Sequence, residues 1–383
     1  MRFSRGLSVI GLLAVGVGVA NADDAPAAPA AAPAPYTGPS FADILTGWGL
    51  TANGYVAASY YHSNGYPSNI HQFDNRHDSF QLDEAGFSLA YQPKEGFGAL
   101  VDIIAGEDAK ILNAAEGGSG TVDVRQAFLQ YATGPITVIA GKFVTLAGAE
   151  VINPTLNTNF SRSILFFDSE PLTHTGVRAT YALSDTINLI GGVNNGWNTT
   201  ATDYGSKTGE VGAAWTPNKI FALTAQAYFG KAGSYSAFDG DRTLIDVVAT
   251  YNATSALTLI LNADWDQQSQ ALPDSTGTLR AASWGGVAAY ANYAINDTWR
   301  VSTRVEYFDD KDAFATGAQQ HLWEGTVTFG YDPAKSFELR AEFRYDSAQN
   351  PDSFIRSINS AGPATANNLS EIALQGVYKF GGP

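Results

Sequence analysis

The segment Phe337-Glu-Leu-Arg-Ala-Glu-Phe-Arg-Tyr-Asp346 puts Glu338, Arg340, Glu342 and Arg344 at every second position. A period of two is that of an extended strand, so these charges leave one face of it. The strand before it, Leu322–Tyr331, carries Glu324, Thr326 and Thr328 in the same phase, and Trp299–Phe308 carries Arg300, Arg304 and Glu306. Along the whole chain this phase collects the bases Arg178, Arg300, Arg304, Arg340, Arg344 and Lys379. Its acids are Glu84, Asp102, Glu210, Asp246, Asp264, Glu306, Glu324, Glu338, Glu342 and Glu371. Rows of fixed charge facing a wet space polarise water and sieve ions. The competing reading pairs the arginines with carboxylates such as Glu306, Glu338 and Glu342, which stiffens a wall instead. Arg125 and Lys142 fall between phases and are given no face.

Other chemistries find little support. His62, His71 and His77 lie near Asp74 and Asp78, but spacings of nine and six give no rigid ligand register, so a solvated loop is expected rather than a metal site. No Ser/His/Asp set has an elbow or oxyanion context, so no catalytic residue, cofactor or metal ligand is assigned. Gly285-Gly286 sits inside a strand pattern and reads as packing, not as a phosphate loop. The chain has no cysteine, which excludes a disulfide scaffold and a cysteine-based zinc site.

The elements that must hold the charges are strands whose other face is apolar. Opposite the charged row of Leu322–Asp346 stand Trp323, Val327, Phe329, Tyr331, Phe337, Leu339, Phe343 and Tyr345. Charge on one face, an unbroken apolar row on the other and aromatics where the chain turns is the pattern of a transmembrane β-barrel strand. Sixteen such strands are predicted, from Leu50–Tyr61 to Leu369–Phe380. Every second connection is short (QPKEG, ATGP, SDT, TPNK, NATSA, INDT, DPAKS), and the alternate ones are long and rich in Asp, Ser, Asn and Gly. The fold class is therefore all-β: an antiparallel up-and-down barrel over 50–380, with short periplasmic turns, long extracellular loops and both termini in the periplasm.

Composition agrees. Only 15% of the 383 residues are charged, and 46 are aromatic (7 Trp, 18 Tyr, 21 Phe). Residues 1–22 read as a signal peptide: Arg2 and Arg5, an apolar stretch from Gly6 to Ala20, then Ala20-Asn21-Ala22. Its removal leaves 20 Lys and Arg against 37 Asp and Glu, a formal charge of −17 that disfavours nucleic acid as a partner. Residues 23–49 form an Ala/Pro-rich periplasmic linker in which Ser40–Asp43 resembles a capping box and allows one helical turn.

Four segments carry a family likeness: Phe41-Ala-Asp-Ile-Leu45, Ala140-Gly-Lys-Phe143, Pro171-Leu-Thr-His-Thr-Gly-Val-Arg-Ala-Thr-Tyr181 and Asn194-Asn-Gly-Trp197. On these the chain resembles the OmpL-like β-barrel porins over nearly all of its mature length. The motifs are structural, so the resemblance implies a porin and says little about its cargo. The last strand, with Ile372, Leu374, Gly376, Tyr378 and Phe380 in phase, resembles the C-terminal signature of outer-membrane barrels, though Gly381-Gly382-Pro383 trails it.

General porins fold the loop after strand five into the lumen. Here that loop, 144–173, is the longest and carries Glu150, Arg162, Asp168 and Glu170 with the apolar run Ile164-Leu-Phe-Phe167. Burial inside the barrel is expected, with packing against a neighbouring subunit as the alternative. The reading is a non-enzymatic porin in the outer membrane of a Gram-negative bacterium, passing ions and small hydrophilic solutes by diffusion. Its expected partners are outer-membrane lipid, the barrel assembly machinery and, as an option, further copies of itself. Ten inward acids against six bases predict a slight cation preference that shrinks as salt rises. A non-conducting barrel acting as anchor or adhesin through its loops is the alternative.

Overall fold

The computed structural model describes residues 41–66, 70–74, 76–202, 205, 207–231, 240–359 and 362–381. The expected signal peptide and residues 23–40 of the linker lie outside them. A short helix, α1 (Phe41–Gly47), precedes the first strand.

The alternating segments become strands β1 (Thr51–Ser63), β2 (Ser79–Tyr91), β3 (Gly96–Ala105), β4 (Val122–Thr133), β5 (Ile136–Val144), β6 (Thr173–Ser184), β7 (Ile187–Asn194) and β8 (Thr208–Trp215). The second half supplies β9 (Phe221–Lys231), β10 (Asp241–Asn252), β11 (Leu257–Pro273), β12 (Leu279–Ala294), β13 (Trp299–Asp310), β14 (Gln320–Ala334) and β15 (Phe337–Ala348). A two-stranded hairpin, β16 (Phe354–Asn359) with β17 (Gly362–Ala366), stands apart from the barrel sheet, and β18 (Asn368–Gly381) returns to it. β18 pairs with both β15 and β1, so sixteen antiparallel strands close with no free edge. The predicted strand count and order hold. The hairpin and the helix α2 (Glu107–Ala115) within the second long loop are additions that strand periodicity does not reveal.

The two faces separate as the alternation requires. In β14 and β15, Trp323, Phe329, Leu339 and Phe343 are exposed on the outer wall, whereas Thr328, Arg340 and Arg344 are buried on the inner one. Cross-strand aromatic pairs such as Trp299–Tyr331 and Phe97–Tyr131 sit beside the short turns. Tyr60–Phe80 and Tyr307–Trp323 pair towards the long loops, so a ring of aromatics marks each interface.

Two bulges alter this alternation where it matters. Ala57 pairs with Glu84 and the next residue, Ala58, with Leu82, leaving Asp83 as the extra residue of β2. Asp83 and Glu84 are consequently both buried on the inner side. Likewise Asp102 pairs with Gln126 and Ile103 with Val124, so Arg125 is the extra residue of β4. Its side chain is buried against Glu84 and Asp102, which gives it the inner face that alternation alone leaves open.

Candidate functional site: a loop gripped inside the barrel

The connection between β5 and β6 enters the barrel. Local caps shape it: the Asn153 side chain accepts from the Thr155 N–H at the start of a 3-10 turn over Pro154–Leu156. The Ser163 hydroxyl accepts from the Phe166 N–H at the start of helix α3 (Ile164–Asp168). Arg162 folds back to donate to the carbonyls of Val151, Ile152 and Phe160, which closes the loop on itself. Ile164 and Leu165 bury completely in a cluster with Ile70, Trp284, Tyr290, Phe308, Leu322 and Phe354 from the wall and other loops. The apolar run is thus covered within its own barrel, as expected.

The wall holds this loop by charge. Four arginines each donate to one loop carbonyl: Arg300 to Thr158 (2.6 Å), Arg340 to Asn159 (3.4 Å), Arg304 to Ser161 (3.0 Å) and Arg344 to Arg162 (2.7 Å). Two carboxylates take the amides in between. Glu342 accepts from Phe160 and Ser161 at 2.6 and 2.9 Å, and Glu306 accepts from Ile164 and Leu165, both at 2.7 Å. Within the loop, Glu150 accepts from the Ser163 N–H and from Arg304. A charged partner roughly doubles the strength of a hydrogen bond, and each of these backbone groups would otherwise be left unsatisfied by burial.

This corrects part of the expected pairing. Glu338 does take Arg300 and Arg340, and Glu324 takes Arg304. Glu306 and Glu342 instead bind backbone amides, because the loop places its N–H groups closer than any guanidinium. Elsewhere Arg178 pairs with Glu210 and lies 4.2 Å over the Phe143 ring. Asp102 shares Arg125 with Glu84. Lys142 bonds Glu116 and Asp123. Asp246 and Asp264 share the Asn262 amide, and Glu170 approaches them from the loop. Burial, with like charge nearby, pushes the carboxyls of Asp168 and Glu170 well above the ordinary range.

The expectation of a solvated first loop holds for His62 and fails for His71. His71 is buried, with Nδ1 at 3.1 Å from Asp74 and 3.2 Å from Glu371 and Nε2 at 3.2 Å from Asp346. Burial and Arg344 oppose its charge, yet these three carboxylates win and push it up to about 10. His71 and Asp74 belong to the loop expected to be solvated, and Asp83, Arg242 and Asp266 are among the inner residues absent from the predicted inward set. Asp266 closes the predicted strand Leu257–Asp266 in phase with Asp264, so the alternation already marks it. No local signal marks the others.

Below the gripped loop, at the short-turn end, a cavity of about 660 Å³ is lined by Tyr55, Asp102, Arg125, Asn153, Lys335 and Lys379 among others.

The family described as "Putative beta-barrel porin-2, OmpL-like" matches residues 49–380. No curated protein matches the chain in sequence. In fold it is similar to an anion-selective porin from Comamonas acidovorans, with a TM-score of 0.62, 11% identity and coverage of 86% of this chain and 99% of that one. The outer membrane channel DcaP of Acinetobacter baumannii gives 0.59 at 14% identity, covering 86% and 97%. The trimer form of OmpT from Vibrio cholerae gives 0.58 at 13%, covering 86% and 99%. With a closed sixteen-stranded barrel and a family profile that spans it, the chain belongs to the OmpL-like β-barrel porin-2 family and is a porin of the outer membrane.

Proposed function

We propose that ions and small hydrophilic solutes diffuse through this barrel past the loop between β5 and β6, which sets the narrowest cross-section. The observation that carries the reading is the grip of Arg300, Arg304, Arg340, Arg344, Glu306 and Glu342 on that loop's backbone. A loop held at both its carbonyls and its amides is a fixed obstacle, so the passage has a defined size. Asp102 and Lys379 line the cavity below the loop, Arg178 and Glu210 pair in the wall beside it, and Glu150, Arg162, Asp168 and Glu170 belong to the obstacle itself. The reading contains no chemical step and no cofactor.

Lipid is the natural solvent of the outer apolar row, and the in-phase C-terminal strand suits recognition by the barrel assembly machinery. A homo-oligomer belongs to the proposal as well. The Vibrio cholerae neighbour exists in a trimer form, and the outer wall here has a trough floored by Ala58, Ala341 and Gly376 between aromatic ridges. Small residues on a lipid-facing surface let another wall approach closely.

Swelling of proteoliposomes in sugars of graded size tests the diffusion reading. Rapid swelling with monosaccharides and a sharp cut-off for larger sugars is expected. Absence of swelling with any solute would leave the barrel as an anchor.

A further inference from the structure

Many of the carboxylates inside this barrel are matched by a cation. Glu84 and Asp102 have Arg125, Glu210 has Arg178, Glu324 has Arg304, Glu338 has Arg340, and Asp346 has Arg344. Others, such as Glu306 and Glu342, are satisfied by backbone amides. Asp83, Asp168 and Asp266 form no ion pair among the described residues either, and one further group is distinguished by its convergence. Asp246 on β10, Asp264 on β11 and Glu170 from the inward loop converge with one oxygen each, all within 4.8 Å of one another.

No arginine, lysine or histidine bonds any of the three among the described residues. Arg242, at the start of β10, donates to Gln268 and lies over the Trp197 ring instead. The Asn262 amide serves one oxygen of Asp246 and one of Asp264, leaving the second oxygen of each without a partner. Glu170 is only 5% exposed, and both of its carboxylate oxygens lack any hydrogen-bond partner. Its approach is prepared by Gly148, whose φ of +86° and close contact with the Glu170 carboxylate exclude a side chain there. Asp266, also buried, adds a further carboxyl on β11.

Isolated buried carboxylates are costly, and several together without a counter-charge are more so. Two oxygens on opposite sides of a Ca²⁺ ion lie roughly 4.6–5.2 Å apart, given its usual bond lengths. Neighbouring ones lie closer, so a span of 4.8 Å fits one coordination shell. The converging oxygens of Glu170, Asp246 and Asp264, with the second, unpartnered oxygen of Glu170, offer part of the hard-oxygen shell that such an ion takes. We propose that Glu170, Asp246 and Asp264 form a Ca²⁺ site that fastens the outgoing end of the inward loop to β10 and β11. The arginine grip sits on β13–β15, so the ion would secure the loop on a different arc of the wall.

Equilibrium dialysis of ⁴⁵Ca²⁺ against the EDTA-stripped full-length chain in detergent tests this directly, at Ca²⁺ up to about 1 mM. Saturable binding is expected that weakens about tenfold or more in both E170Q and D246N and is unchanged in D274N, which removes a carboxylate of an exposed turn. Mg²⁺ should compete poorly, since it demands a smaller octahedral shell. Wild-type protein should also unfold at a higher temperature in Ca²⁺ than in EDTA, and E170Q should lose that difference. The unfolding comparison on wild type stands even where a variant fails to fold. Equal binding by E170Q and wild type would overturn the site. So would an unfolding temperature that ignores Ca²⁺ and rises only on acidification, which would mean that shared protons neutralise the cluster. Binding is read without conductance, so its failure leaves the diffusion reading untouched.

Discussion

At the scale of single residues, the two faces of a strand make opposite demands. Leu339 faces outward on β15, 42% exposed, in the row that meets lipid. An arginine facing lipid near the bilayer midplane costs about 2–4 kcal/mol. Leu339→Arg should therefore lower the folded fraction recovered from detergent refolding, read as heat-modifiable migration on a gel. Ser88→Arg, which places the same charge at the wall of the 660 Å³ cavity, should refold like wild type. Equal losses would mean that the inside–outside assignment is wrong. Alternation alone would have nominated Thr328 as a tolerant inner position. It is not one, because its hydroxyl donates to Glu342 and accepts from Asn159 of the inward loop.

His71 gives the clearest residue-level dependence on pH. Its folded-state value of about 10 lies above the ordinary 6.5, so the charged form is the one that the fold favours. The stability that it contributes is complete below pH 6.5 and is lost as pH rises through about 10. The expected loss is on the order of a few kcal/mol, given full burial among Asp74, Asp346 and Glu371. The unfolding temperature of wild type should fall between pH 7 and pH 10.5 by more than that of His71→Gln. Parallel curves would show that the three carboxylates do not depend on that proton.

At the scale of elements, the strands were legible and the contents of the barrel were not. Period-two rows such as Glu338, Arg340, Glu342 and Arg344 reveal a strand because its two faces meet different solvents. The short turns and their aromatics fix the order of the strands. A bulge shifts phase by one residue without any mark in composition, which is why Asp83 was missed and Arg125 stayed unassigned. The inward fold of the loop after β5 was legible from its apolar run, Ile164 to Phe167. Its partners were not, because the contacts of Glu306 and Glu342 with the loop span 141 to 182 residues of sequence. The element-level prediction follows from that grip. Glu306→Gln with Glu342→Gln leaves one acceptor oxygen where there were two and turns an NH2 towards a backbone N–H, so each side chain loses one of its two loop bonds, about 1–3 kcal/mol apiece. Protease should then cut within 145–172 faster than in wild type, while the barrel still migrates as a folded species. An unchanged cleavage rate would mean that apolar packing alone holds the loop.

At the scale of the molecule, net charge and local pairing act together. Ion pairs such as Arg178–Glu210 cancel part of the inner field, while the ten inward acids still outnumber the six inward bases and leave a negative excess. Lys335 and Lys379 at the short-turn cavity work against it. The negative excess should prevail, giving a modest cation preference in reversal potentials under a KCl gradient, smaller at high salt as the Debye length shortens. The Comamonas acidovorans porin of the same fold is anion-selective, so the fold itself does not decide the sign. A clear anion preference here would transfer control to the arginines of β13 and β15.

The central claim is that a loop held by wall charges sets the pore. Single-channel conductance of the purified wild type beside the E306Q/E342Q double variant, in the same bilayer and salt, tests it most directly. Discrete steps of one size are expected for wild type, with larger and noisier steps once both carboxylates no longer hold the loop amides. Identical steps for the two proteins, or a folded wild type that never conducts, would contradict it.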